Sequence, residues 1–153
     1  ILIVDDNPES LGFLAKRLTK RGYIVNVSAD GSTALHLIRS VLPDLVLLDV
    51  MMPGMNGYEL CRILKADDAT SHIPIIFHSV SEEPEDKIKA FEVGGADFVA
   101  KPFHWREVLM RIEHQVQLVQ LQRELNQQKQ QLLAQNQQLQ TEIGQRDRAL
   151  CDQ

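Results

Sequence analysis

The chain has 153 residues, 44% of them hydrophobic, and a net charge of −5. That length accommodates one domain of ordinary size with its own core plus an appendage, and the acidic balance argues against a protein built mainly to grip nucleic-acid phosphate. The two cysteines, Cys61 and Cys151, are far apart and fit no metal-ligand spacing, so free thiols in a reducing, cytoplasmic compartment are expected; no apolar run approaches the roughly 20 residues of a membrane helix, and no secretory signal is legible.

The chain opens on Ile1, already inside an apolar run, so residues upstream are expected. Ile1-Leu2-Ile3-Val4 has the pattern of a short buried strand and ends on Asp5-Asp6. Asn7-Pro8-Glu9 then starts a helix with proline in its first turn. Its apolar stripe, Leu11, Leu14, Ala15 and Leu18, closes at Arg21-Gly22. Residues 23–27 read as a second strand, Ala29-Asp30-Gly31 as a turn, and Ala34, Leu35, Leu37, Ile38 and Val41 as the stripe of a second helix. Leu45-Val46-Leu47-Leu48-Asp49, bounded by Pro43-Asp44 and Pro53-Gly54, reads as a strand buried on both faces that stops abruptly on a carboxylate. Residues 57–66 give a third helix, and residues 73–78 a fourth strand that ends on Ser79. A fourth helix over 84–93 is stopped by Gly94-Gly95, and a fifth strand over 97–100 runs into Lys101-Pro102-Phe103. Strands alternating with helices of about ten residues imply right-handed crossovers and an α/β fold, a flavodoxin-like, doubly wound, five-stranded parallel sheet.

Beyond His114 the composition changes. All fourteen glutamines lie between Gln115 and Gln153, whereas all six prolines lie at or before Pro102. Two segments are therefore expected, 1–114 as the domain and 115–153 as a helical coil. Leu118, Leu125, Leu132 and Leu139 stand seven apart, with Leu121 and Ile143 as partial seconds, a heptad-like stripe on one long helix. Its other seam positions are mostly Gln and Asn, so the coil is expected to be modest in stability, and a solvated or disordered glutamine tract is the alternative. The fifth helix, carrying Val108, Leu109 and Ile112, meets no glycine or proline before the coil and is expected to run straight into it.

In parallel sheets of this kind ligands bind at the carboxyl ends of the strands. The polar residues there are Asp5 and Asp6 after the first strand, Asp49 after the third, Ser79 after the fourth and Lys101 after the fifth. Three converging carboxylates repel one another, and a hard divalent cation with oxygen ligands is the usual remedy; magnesium fits, with manganese as a substitute. An ammonium and a hydroxyl add partners for further oxyanions. Such a set suits a carboxylate that accepts a phosphoryl group by in-line attack. Taken singly, Asp5-Asp6 could cap a helix, Asp49 could terminate a strand, Ser79 could cap a loop, Lys101 could be a solvated charge and Phe98 could be plain core. Together, at successive strand ends, they favour one site.

At these residues the chain resembles the receiver domain of bacterial two-component response regulators. The match is carried by Asp5-Asp6, by Asp49 within Leu-Leu-Asp-Val-Met-Met-Pro-Gly-Met-Asn-Gly, by Ser79 and by Lys101-Pro102-Phe103, and it covers residues 1 to about 114. The resemblance implies that Asp49 takes a phosphoryl group from a phosphohistidine on a sensor histidine kinase or phosphotransfer protein. It implies that Asp6, Asp49 and the backbone carbonyl of Met51 ligate Mg2+, with Asp5 acting mainly through a water. Lys101 would pair with Asp49 and then with the phosphoryl oxygens, Ser79 would be the switch hydroxyl, and Phe98 the aromatic that turns inward. It implies a self-phosphorylating and autodephosphorylating signalling domain and not a conventional enzyme. Homodimerisation is expected through the coil or through the face of the fourth helix, fifth strand and fifth helix. Met51, two residues past the acceptor, offers no polar group to position a hydrolytic water, so a long-lived phosphorylated state is expected.

Rival chemistries fit less well. A phosphatase with an Asp nucleophile would want a second Asp where Met51 stands, and a nucleotide-binding protein would want a glycine-rich loop where the chain has Asp-Asp-Asn-Pro-Glu. The non-catalytic rival is a pseudo-receiver serving as a dimerisation scaffold. His72, His78 and His104 show no metal spacing and read as structural. No DNA-reading segment is legible after Gln115, so no nucleic-acid or membrane contact is expected from this chain.

Overall fold

The computed structural model describes residues 1–152; the last residue of the expected coil, Gln153, lies outside them. The elements run β1 (Leu2–Val4), α1 (Pro8–Lys20), β2 (Asn26–Ser28), α2 (Gly31–Val41), β3 (Val46–Asp49), α3 (Gly57–Ala66), β4 (Ile75–Ser79), α4 (Pro84–Glu92), β5 (Asp97–Ala100) and α5 (Trp105–Cys151). The five strands form one parallel sheet in the order β2-β1-β3-β4-β5. The doubly wound fold expected from the alternation is the fold observed.

The uninterrupted apolar runs of β1, β3 and β4 have their physical reason in two cores, one on each face of the sheet. Val4, Leu48 and Phe77 pack on one side with Ala34 and Ile38 of α2, Leu60 and Leu64 of α3 and Ala90 of α4. Ile3, Leu47, Ile76 and Val99 pack on the other with Leu14 and Leu18 of α1 and Val108 and Ile112 of α5. Each fully buried Leu or Ile contributes about 1.5–3 kcal/mol relative to exposure, so alternate residues of a strand are pinned to opposite helical layers.

Three of the five helix starts, those of α1, α2 and α3, are set by side-chain caps. Asn7 accepts from the Glu9 amide, Asp30 from that of Thr33 and Asn56 from that of Glu59, each relieving an orphan donor of a first turn. The turn expected at Asp30 is thus also a helix cap. The second strand begins later than the expected residue 23. Ile24 is 84% exposed, and β2, at the sheet edge, pairs only with the three residues of β1. Residues 23–25 carry a strand pattern, but β1 starts at Leu2 and leaves them only the terminal Ile1 amine, hydrogen-bonded to the Ile24 carbonyl, in place of a ladder.

Two compact units result, Ile1–Val116 and the stretch from Gln117 onward. Gln115 is buried and Val116 packs on the second core, so the globular unit takes in the first two residues of the glutamine-rich segment. From Gln117 the helix continues to Cys151, and along it Leu118, Leu121, Leu125, Leu132, Leu133, Leu139, Ile143 and Leu150 are all exposed. No helix among the described residues is long and apolar enough to cross a membrane.

Gly57 fixes how closely α3 approaches the end of β3. Its amide donates to the Val50 carbonyl at 2.9 Å, and a Cβ at this position would lie 2.3 Å from the Asp49 carbonyl oxygen. Backbone cannot yield as a flexible side chain can. Gly57→Ala is expected to cost about 2 kcal/mol, read as a lower urea midpoint with an unchanged slope.

Candidate functional site

Strand register builds the site. Val4 of β1 lies opposite Leu48 of β3, so the residues that follow, Asp5 and Asp49, leave the sheet side by side. Asp49 in turn faces His78 of β4, and Ser79 faces Ala100 of β5, which delivers Lys101 to the same rim. Asp5 and Asp49 are buried and Asp6 is exposed, and one carboxylate oxygen from each lies within 4.8 Å of the others. Among the described residues this is the one group of three or more potential ligands of that kind. Two buried acids and one open to solvent form an all-oxygen donor set that suits a hard cation keeping part of its water shell.

Lys101 is the counterweight. Its Nζ donates to Asp5 Oδ2 at 2.9 Å and to Asp49 Oδ2 at 3.4 Å, and its amide donates to the Ser79 carbonyl at 2.8 Å, which ties the chain after β5 to the end of β4. Asp5 also accepts from the Asn7 amide at 2.9 Å, and Asp49 from the Met51 amide at 3.4 Å. The two carboxylates are pushed apart in acidity. Burial alone would raise Asp5, but the Lys101 hydrogen bond and the Asn7 amide outweigh it and hold the group below its ordinary value. Burial and the neighbouring Asp5 charge push Asp49 up to about 7, against only partial relief from Lys101. Asp49 is the acid that most lacks positive charge.

Ser79 and Phe98 belong to the opposite face of the sheet. Ser79 is buried and its Oγ accepts from the Ser81 amide at 3.2 Å. Phe98 is buried beside Phe77, its register partner on β4, with Lys87 Nζ 5.9 Å above its ring. Met51 is 67% exposed, and its contact with the cluster is the amide that donates to Asp49. His72 and His104 are exposed.

Two features of this region were not foreseen from the sequence. His78, which the sequence alone reads as structural, lies inside the cluster, fully buried, with its Nδ1 3.6 Å from Asp5 Oδ2. Burial, reinforced by the Lys101 charge, pushes it down to about 3, so the ring is neutral. A polar side chain closing an apolar strand beside Ser79 was the available signal. The second feature is a groove of about 530 Å³ lined by Phe13, Lys16, Arg17, Lys20, Arg21 and Trp105. The Arg17 guanidinium lies 4.5 Å from the Phe13 ring centroid and 5.6 Å from that of Trp105. A neighbouring depression, lined by Glu9, Ser10, Phe13, Lys101, Pro102 and Phe103, shares Phe13 with it.

Comparison with known proteins agrees with this geometry. A family model described as the response regulator receiver domain matches residues 1–113. Response regulator PleD of Caulobacter vibrioides is 44% identical over 102 residues, 67% of this chain and 22% of that protein. The DNA-binding response regulator MtrA of Mycolicibacterium smegmatis is 42% identical over 112 residues, 73% of this chain and 48% of its own length. The chain thus spans less than half the length of these relatives. Among solved structures, a putative response regulator from Chloroflexus aurantiacus superposes with a TM-score of 0.73 at 36% identity, covering 75% of this chain and 94% of that one. The signal receiver domain of a signal transduction histidine kinase from Syntrophus aciditrophicus gives 0.72 at 32% identity, with 77% and 89% covered.

The raised acidity constant of Asp49 has a measurable sign. A carboxyl at about 7 in the fold and at its ordinary value of 3.8 when unfolded is protonated more readily in the native state. It therefore costs nothing below the lower value, and its cost grows as pH rises through the interval. In chelator, Asp49→Asn is expected to be more stable than the parent at pH 8, with the gap closing toward pH 4. Urea denaturation of both proteins across that range checks it.

Proposed function

The chain belongs to the response regulator receiver domain family, and from that premise we propose that it is a phosphoacceptor in which Asp49 takes a phosphoryl group from a phosphohistidine on a partner histidine kinase or phosphotransfer protein. The observation that carries the reading is the Asp5–Lys101–Asp49 cluster, where one ammonium bridges two buried carboxylates. One Asp49 oxygen attacks phosphorus in line; the new O–P bond forms as the N–P bond breaks, and the electron pair leaves on the imidazole nitrogen. A Mg2+ ion held by Asp6, Asp49 and the Met51 carbonyl, with Asp5 reached through water, would supply the charge that neutralises the phosphoryl oxygens. Lys101 exchanges its carboxylate partners for those oxygens and Ser79 supplies a hydroxyl. Water later cleaves the acyl phosphate and resets Asp49.

Phosphorylation biases a two-state equilibrium of the domain. Ser79 and Phe98, on one face of adjacent strands, form the route from the site to α4 and β5. That side of the globular unit exposes Ile88, Phe91 and Met110, with Arg111 paired to Asp97 at 2.6 Å and to Glu107 at 3.2 Å, which suits a surface that changes partners. The basic, aromatic groove sharing Phe13 with the Lys101 depression suits docking of the phosphodonor, because none of its four cations has an ion-pair partner among the described residues.

The helix beyond Gln117 carries the signal onward as a two-stranded parallel coil in a cytoplasmic protein. With Leu118, Leu125, Leu132 and Leu139 at the d positions, Gln122, Lys129, Asn136 and Ile143 fall at a. A polar residue at a costs stability and selects register and strand number. The exposure of the whole leucine stripe in one chain is the surface such a partner copy would cover.

Two outcomes are expected. Incubation with Mg2+ and acetyl phosphate adds one phosphoryl group by intact mass, and both chelator and Asp49→Asn abolish the addition; a mass gain that persists in the variant contradicts the assignment. In sedimentation, Leu132→Asp shifts the protein from dimer to monomer without lowering acetyl-phosphate labelling.

A further inference from the structure

His78 occupies a position where the fold would accept a hydrocarbon. It lies on the same sheet face as Ile76 and Val99, which are aliphatic and packed on α1 and α5, and it is fully buried with the Phe103 ring edge-on at 5.3 Å. Neither ring nitrogen makes a hydrogen bond of good geometry, although the Val4 carbonyl lies close enough to favour a proton on the ring. Unpaired buried polar groups of this kind destabilise a fold, and a leucine here would carry no such cost. A native group of this type calls for a use.

One side-chain acceptor near the ring is Asp5 Oδ2, 3.6 Å from His78 Nδ1, and that oxygen is already held by Lys101 at 2.9 Å. Asp5 is completely buried. In the reaction proposed above, Lys101 turns toward the phosphoryl oxygens and withdraws the side-chain donor that holds Asp5 Oδ2 in the metal-free fold. We propose that His78 is a positioning residue whose Nδ1–H takes over Asp5 Oδ2 as Lys101 departs, keeping Asp5 aimed at the cation side of the site in the phosphorylated state. A ring shift of about half an ångström turns the 3.6 Å approach into a hydrogen bond. A neutral imidazole with its proton on Nδ1 has the one donor the exchange requires. Outer partners of this kind orient ligating carboxylates and are worth about 10–100-fold in affinity.

This inference rests on the phosphoacceptor reading, and the experiment separates the two. Histidine-selective 15N NMR of the parent protein is recorded metal-free, with Mg2+, and with Mg2+ plus beryllofluoride as the stand-in for the phosphoryl group. The expected result is an Nδ1–H tautomer of His78 whose proton moves downfield when beryllofluoride is added. An Nε2–H tautomer in the beryllofluoride state overturns the proposal. In parallel, His78→Leu is expected to keep or raise the urea midpoint of the metal-free protein yet weaken beryllofluoride binding about tenfold, and His78→Gln, with an amide donor, to recover most of the loss. A merely structural histidine would change the midpoint without this split, so equal binding by parent and His78→Leu overturns the proposal while leaving Asp49 as the acceptor. Failure of the parent to bind beryllofluoride at all contradicts the phosphoacceptor reading and the role of His78 with it.

Discussion

The structure depends on one ammonium held between two buried carboxylates. Like charges about 4 Å apart repel by roughly 4 kcal/mol at an effective dielectric of about 20, and Asp5, Asp6 and Asp49 bring three to one rim. Lys101 touches two of them, more closely Asp5 than Asp49. The imbalance leaves Asp49 short of positive charge and Asp5 well supplied. In the proposed reaction that asymmetry assigns the roles. The acid with the weaker hold on Lys101 is the one that gains most from a cation, and the same cation would draw an incoming phosphoryl group toward it.

No local segment could make this arrangement. Asp5 and Asp49 are 44 positions apart in the chain, and only the parallel pairing of β1 with β3 sets them side by side. β5 has to pair with β4 before Lys101 reaches either of them. The two apolar cores hold those strands in register, because a one-residue slip would turn each buried face into the wrong helical layer. Gly57 brings α3 against the backbone at the end of β3, where any side chain would collide with the Asp49 carbonyl. Stability spent on the charge cluster is thus offset by burial elsewhere in the same sheet.

Much of this was legible in the sequence because the determinants are local. Apolar runs that end on Asp5, Asp49, Ser79 and Lys101 give both the strands and the rim, and Asn7-Pro8 and Gly94-Gly95 punctuate the helices without reference to the rest of the fold. The edge strand begins later than expected because the aromatic Tyr23 and the β-branched Ile24 and Val25 carry strand propensity whether or not a partner strand is beside them. His78 reads as structural in the sequence because the carboxylate it approaches, Asp5, follows a strand that is not its neighbour in the sheet. The basic groove was missed for a similar reason, since Trp105 joins Phe13, Arg17 and Lys20 only when α5 starts beside α1. The leucine stripe after Gln117 was plain as a period of seven, but a period says what the helix can cover and not what covers it.

The central claim is that Asp49 is the atom-level acceptor and that the surrounding acids and Lys101 serve it. Reduction of the phosphorylated protein with borohydride, followed by peptide mass spectrometry, converts an aspartyl phosphate into homoserine at the residue that carried it. The account predicts homoserine at position 49 alone. Homoserine at Asp5 or Asp6, or phosphate retained on a serine or histidine, would contradict it.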